Sequence, residues 1–321
     1  METNFAGEAL ECFRDGLAKH KDDAELHLFY AMALMRLGRL AEAWPEYEWR
    51  WWSKGQNGKP DYPQREWQGE PLAGKTILVW SEQGVGDEVL YAGMVPDLIE
   101  AGARVIFECE PRQQALFRRS FAGVQCVAKR DPPDMATRAG DIDFQSPIGN
   151  LGRWLRPDLA SFPNRPSYLT ADPAKRTAYR DKYKSANKGG GFLIGIAWYS
   201  KNVMVGDQKS LSLRELSPLA QPGVTLVDLQ YGDTAVERDE FAQNTGIELI
   251  HDAAVQPMQD LDDFAAQVAA MDLVITISNA TAHFAGALGV PTWILLHTVP
   301  RSCWFLERDD SPWYPSVRLF R

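Results

Sequence analysis

The 321 residues, 45% of them hydrophobic, are enough for two or three modest domains with buried cores. No apolar run reaches the roughly 18–20 residues of a membrane span, and the opening Met1-Glu-Thr-Asn-Phe-Ala-Gly-Glu has no basic region followed by an apolar block, so the expectation is a cytoplasmic chain. With 34 basic against 43 acidic residues the formal charge of −9 disfavours nucleic acid as a partner, and Cys12, Cys109, Cys126 and Cys303, which form no CxxC pair, suggest neither a zinc site nor a disulfide framework.

Residues 1–58 read as helical and repetitive: Glu8-Ala9-Leu10 returns as Glu42-Ala43-Trp44 and Phe13 as Tyr47, an offset of 34 positions. Tyr30, Leu37-Gly38, Ala41, Ala43-Trp44 and Tyr47 resemble a tetratricopeptide repeat, about one and a half copies in all. A solenoid that short must dock on the adjoining domain or continue a longer array. Trp44, Trp49, Trp51, Trp52 and Trp67 suggest either a packed interdomain seam or a protein-binding surface. A Gly- and Pro-rich connector spans 53–69.

The pattern then becomes β/α. Strands are predicted at 76–80, 104–109 and 124–127, with helices at 88–101, 112–121 and 151–155. Ser, Asn, Lys and three glycines at 184–191 suggest a hinge. Strands at 192–198, 224–230, 247–250, 273–277 and 292–296 then alternate with helices at 213–220, 234–245, 261–271 and 282–288. The expected fold class is α/β, with two Rossmann-like lobes facing each other across a cleft: a helical segment at 1–58, a first lobe at 59–188 and a second at 189–321.

Ligands of parallel α/β sheets lie beyond the carboxyl ends of the strands. After the first strand come Glu82, Gln83, Gly84, Gly86 and Asp87, where the glycines admit close backbone approach and the carboxylate is either a helix cap or a catalytic group. Lys209 and Ser210 offer a cation and a hydroxyl to a diphosphate, or merely face solvent; Gln230 and Tyr231 suit a nucleobase or sugar edge. The apolar strand 273–277 runs into Ser278, Asn279, Ala280, Thr281, Ala282 and His283, a helix start whose free N–H groups suit a phosphate. There His283 either donates to the phosphate as a neutral imidazole or is a packed core residue. Metal-ligand spacing is lacking, and the DxD at Asp141-Ile142-Asp143 looks strand-bound.

Taken together, Ser81-Glu-Gln-Gly-Val-Gly-Asp-Glu-Val-Leu-Tyr91, Leu229-Gln-Tyr-Gly-Asp233, residues 262–276, Asn279-Ala-Thr-Ala-His-Phe-Ala-Gly-Ala-Leu-Gly289 and Asp310-Ser-Pro-Trp-Tyr-Pro315 resemble bacterial tetratricopeptide-repeat glycosyltransferases, whose catalytic part is similar to glycosyltransferase family nine, the ADP-heptose heptosyltransferases. The resemblance implies a B-type fold and inverting sugar transfer from a nucleotide-sugar donor without metal or other cofactor. It also implies Asp87 as base towards the acceptor hydroxyl, and the donor diphosphate resting on residues 279–283 with Lys209 and Ser210. The helical segment is then expected to meet a protein acceptor or partner, flagellin being one such acceptor. Asn279 departs from the family, which usually has an acid there. The alternatives are a degenerate transferase acting as a protein-binding module, and a nucleotide-sugar epimerase of the same fold.

Overall fold

A computed structural model describes residues 2–54, 58–186, 191–202 and 206–321, with residues 2–4 described by backbone alone. The chain opens with helices α1 (Glu2–Lys19), α2 (Ala24–Arg36) and α3 (Leu40–Tyr47), and a 3-10 turn at Glu48–Trp52. Asp23 caps α2 by accepting from the Leu26 amide at 3.1 Å. Gly38, at φ +72°, turns the chain between α2 and α3, where a side chain would be strained.

The first parallel sheet is built from β1 (Thr76–Trp80), α4 (Val85–Ala92), α5 (Val95–Glu100), β2 (Arg104–Cys109), α6 (Gln114–Ser120), β3 (Gln125–Ala128), β4 (Phe144–Pro147) and α7 (Leu151–Leu155), its strands ordered β3-β2-β1-β4. All five residues of β1 are buried, as a central strand covered on both faces requires. The helix expected at 88–101 is instead two. Tyr168 packs at Gly93, where an added Cβ would meet its ring at 2.9 Å, and Pro96 starts the next helix. Asp143 precedes β4, and its carboxylate accepts from the Thr76 amide at 2.8 Å.

After α8 (Pro173–Ala186) comes the second sheet: β5 (Phe192–Ala197), α9 (Gly206–Lys209), β6 (Val224–Asp228), α10 (Ala235–Thr245), α11 (Leu261–Ala269), β7 (Leu273–Ile277), α12 (Ala280–Ala287), β8 (Thr292–Leu295) and β9 (Val317–Phe320). It is also parallel, in the order β6-β5-β7-β8-β9. The strand expected at 247–250 shrinks to a single bridge between Val227 and Ile250, and Pro218 keeps 213–219 a 3-10 helix. Of the expected hinge, residues 187–190 lie outside the described residues.

One apolar core runs from Leu10 and Leu34 through Val79 and Phe107 to Val274 and Leu319, so the amino-terminal helices share it with both sheets. Among the five tryptophans, Trp44, Trp51 and Trp67 form a packed seam. Trp44 covers Gly152 and donates to the Arg156 carbonyl at 2.8 Å, Trp51 lies 5.5 Å from Trp80, and Trp67 lies 6.4 Å from Trp154. Trp52 stays 62% exposed.

Glu82 and Gln83, expected in the acceptor-side loop, are engaged by these helices. Arg50 grips Glu82 through both nitrogens of its fork, at 2.7 and 2.8 Å, and Gln83 donates to the Tyr47 hydroxyl at 2.5 Å. Both carry structure, because the loop is pinned from below rather than left open to a ligand. On the other side Arg36 donates to the Pro300 carbonyl at 2.7 Å and accepts from the Leu306 amide at 2.8 Å. Side chains of Arg50 and Glu82 are 6% and 1% exposed. Glu82→Ala therefore strands a buried guanidinium and is expected to lower stability by about 3–5 kcal/mol in urea denaturation; a loss below about 1 kcal/mol would show that the pair does not hold the helices.

Candidate functional site

The central strands β1 and β7 each end in a short loop and a helix, and the two helix starts meet. At Gly86, in the first turn of α4, an added Cβ would lie 3.1 Å from the His283 ring and 3.4 Å from the Ala280 Cα of α12. A side chain at position 86 would press on the His283 ring, which would have to give by a few tenths of an ångström. A cavity of about 380 Å³ opens beside the contact, lined by Gly84, Gly86 and Asp87 from α4 and by Ser278, Asn279, Ala280, Thr281 and His283 from α12. The α4 N-cap is Gly84, whose carbonyl receives the Asp87 and Glu88 amides at 2.9 and 3.0 Å, so Asp87 is not the cap. Its carboxylate instead accepts from Arg301 at 2.5 Å.

Asn279 is the N-cap of α12. Its Oδ1 accepts from the Ala282 amide at 3.2 Å and from the Thr276 hydroxyl at 3.1 Å. Its Nδ2 is buried without a hydrogen-bond partner in a residue 8% exposed. An unpaired buried donor costs about 1–3 kcal/mol, and here it belongs to a residue lining the cavity. Ala282, expected to bind the donor, has its amide already engaged by the cap, and its side chain is fully buried.

His283 is 2% exposed and stacks on Trp304, with ring centroids 5.1 Å apart. Burial first, then the charges of Arg301 and Lys209, pushes its pKa down to about 3, so the ring is neutral. Tyr168, which donates to the Val89 carbonyl at 2.8 Å, stacks on Tyr314 with ring centroids 6.3 Å apart. Nδ1 of His283 lies 2.9 Å from the Tyr314 hydroxyl, and either group can be the donor in that bond, depending on the tautomer. His283 is thus a buried, neutral residue of the cavity wall.

The lysine expectation places Lys209 at the cavity. It is 8% exposed, donates to the Ser278 carbonyl at 2.7 Å, and is lowered in pKa by burial first and by Arg301 second. Tyr231 also lines the cavity, stacked on Tyr199. Two other residues lie apart from it. Ser210 bonds to the Ser200 amide and the Gly206 carbonyl, and Gln230 accepts from the Trp198 and Tyr199 amides at 3.0 and 2.9 Å while donating to the Tyr231 carbonyl. These polar side chains close their own loops, which leaves little of them for a ligand.

Arg301 and Arg112 also line the cavity and went unremarked in the sequence. The charge of Asp87, ahead of burial, raises the Arg301 pKa. Arg301 sits just beyond β8, and the rule that singled out the other loops after strands reaches this one too.

No protein-family model matches the chain. Protein FlbA of Caulobacter vibrioides is 35% identical over 321 residues, covering 94% of this chain and 52% of that protein, so the chain spans about half the length of its curated relative. Among solved structures, a glycosyl transferase family 9 protein from Veillonella parvula superposes with a TM-score of 0.56 at 13% identity, covering 78% of this chain and 87% of that one. The ADP-heptose lipopolysaccharide heptosyltransferase II of Escherichia coli gives 0.54 at 13% identity, covering 77% and 90%. The chain thus has the α/β fold of these glycosyltransferases, with two parallel sheets.

One expectation is overturned. TibC of enterotoxigenic E. coli, at 13% identity and a TM-score of 0.44 over 71% of this chain and 60% of its own, is an iron-containing glycosyltransferase. Likeness to this class therefore does not imply a metal-free enzyme. The likeness to TibC is too distant to carry its iron site over to this chain.

The buried ring of His283 makes stability depend on pH. The unfolded imidazole takes up a proton near its ordinary pKa of about 6.5 while the folded one resists to about 3, so stability is full above about 6.5 and falls as pH drops between the two. Between pH 7 and 5 the loss attributable to this ring is about 2 kcal/mol. Denaturant titrations at the two pH values should show that slope in wild type and lose about that much of it in His283→Gln; parallel profiles would refute the assignment.

Proposed function

We propose that this chain is a glycosyltransferase that binds the diphosphate of a nucleotide-sugar at the start of α12 and transfers the sugar to a hydroxyl acceptor. The observation that carries the reading is the unpaired buried amide Nδ2 of Asn279, set at a helix N-terminus beside Lys209 and across from Asp87. An amide donor in place of the family's usual acid removes a negative charge from beside the phosphates. In the reaction, the acceptor hydroxyl gives its proton to Asp87 as its oxygen bonds to the anomeric carbon. The bond from that carbon to the diphosphate breaks, and the nucleoside diphosphate leaves with the electron pair. A single displacement of this kind inverts the anomeric centre. Lys209, Asn279 and the α12 amides stabilise the charge on the leaving group.

The helical segment at 1–58, read as one and a half tetratricopeptide repeats, would meet a protein acceptor such as flagellin; exposed Phe29 and Trp52 on it support a contact surface. The lobes are taken as 59–188 and 189–321. A nucleotide-sugar donor fits the cytoplasm.

Thermal-shift screening against nucleoside diphosphates tests the reading, since a ligand at a hundred times its Kd adds about 2.7 kcal/mol of stability. One base should raise Tm in wild type, and Asn279→Ala should reduce the shift. Asp87→Asn should show a nucleotide shift no smaller than that of wild type while lowering transfer by about 10²–10⁴. No shift with any base would sink the proposal.

A further inference from the structure

We infer that Arg301 is shared between Asp87 and the donor diphosphate, so that a diphosphate entering the cavity draws the guanidinium off the base. The inference rests on the function proposed above. Arg301 and Asp87 are paired at 2.5 Å, and both line the cavity that also holds Asn279 and Lys209. The two partners differ in freedom. The Asp87 side chain is 13% exposed within the first turn of α4, whereas that of Arg301 is 43% exposed and sits in an irregular segment. The backbone beneath Arg301 is held, because Arg36 of α2 donates to the Pro300 carbonyl at 2.7 Å. Transfer of the guanidinium therefore needs rotation of one side chain and no movement of the chain.

Charge decides where the guanidinium goes. A carboxylate presents a single charge, while a diphosphate presents at least two with several oxygens, which a planar fork of five N–H donors matches in two-point contacts. Lys209 is fixed on the Ser278 carbonyl, so Arg301 is the more exposed cation opposite Asp87. As Arg301 moves to the phosphates, the Asp87 oxygen it occupied becomes available to the acceptor hydroxyl. The base is thus uncovered by the donor that the deprotonated acceptor attacks, and Asp87 competes with the donor for one cation until then.

Competition of this kind shows as coupling between two residues in binding alone, apart from any turnover. The affinity of the nucleoside diphosphate selected by thermal shift is measured by calorimetry for wild type, Asp87→Asn, Arg301→Gln and the double variant. Arg301→Gln should weaken binding about tenfold or more, as loss of a charged hydrogen bond does. Asp87→Asn should tighten it about tenfold in the presence of Arg301 and by less than about threefold in the Arg301→Gln background. Arg301→Lys, which keeps the charge and loses the fork, should lie between wild type and Arg301→Gln, and it replaces the latter in the cycle if that protein does not fold. Equal tightening in both backgrounds, or none in either, overturns the sharing of Arg301 while leaving nucleotide binding intact. Absence of binding by wild type overturns the proposed function and this inference together.

Discussion

Two helix N-termini pressed together at Gly86 are the constraint on which the site depends. Each start carries about half a positive charge on its unpaired amides, and like charges brought to a few ångströms repel unless an anion lies between them. Asp87 supplies one such charge from within the first turn of α4, and Arg301 answers it. Lys209 and the Asn279 amide remain on the α12 side, so the balance there stays positive. The pairing of central strands fixes this arrangement. β1 and β7 lie inside their sheets, and the helices after them leave the carboxyl edges into a common cleft. Net charge says nothing of this, since a chain at −9 overall still sets Arg112, Lys209 and Arg301 around one cavity.

The amino-terminal helices enter the same geometry. Too short to stand as a solenoid, they share the core of both sheets and reach the cleft from two sides. Arg50 and Tyr47 hold Glu82 and Gln83, directly ahead of the glycines that open α4; Arg36 holds Pro300 and Leu306, either side of Arg301 and Trp304. A load on the outer face of these helices would thus fall on the two segments that carry Asp87 and Arg301. No further hinge element is required to connect the helical segment with the site.

What could be read from the sequence tracks the physics of burial. β1, β2, β5 and β7 announce themselves because strands covered on both faces are continuous apolar runs. β4, with Gln145, Ser146 and Pro147, and β9, with exposed Arg318, lie at sheet edges, where the pattern weakens and proline is tolerated. α8 buries only Tyr183 and so shows almost no apolar stripe. At the site, loop position found Asp87 and the α12 start, but residue type alone could not separate Lys209, which lines the cavity, from Ser210 and Gln230, which tie their own loops. Arg301 escaped because its meaning comes from a partner 214 residues away.

His283 adds a fixed, neutral ring to the cavity wall. Stacked on Trp304 and bonded to the Tyr314 hydroxyl through Nδ1, the ring carries no charge to compete with Lys209 and Arg301. Phosphate oxygens are acceptors and are drawn to the Asn279 amide and Lys209. A sugar hydroxyl, which both donates and accepts, suits a neutral imidazole in either tautomer. Within the proposed reaction one polarity of the donor is favoured: its diphosphate towards Asn279 and Lys209, and its hydroxyl-bearing part towards His283, beside Gly86 and with Asp87 the next residue along. That order sets the anomeric carbon between leaving group and base, which is what a displacement at that carbon requires.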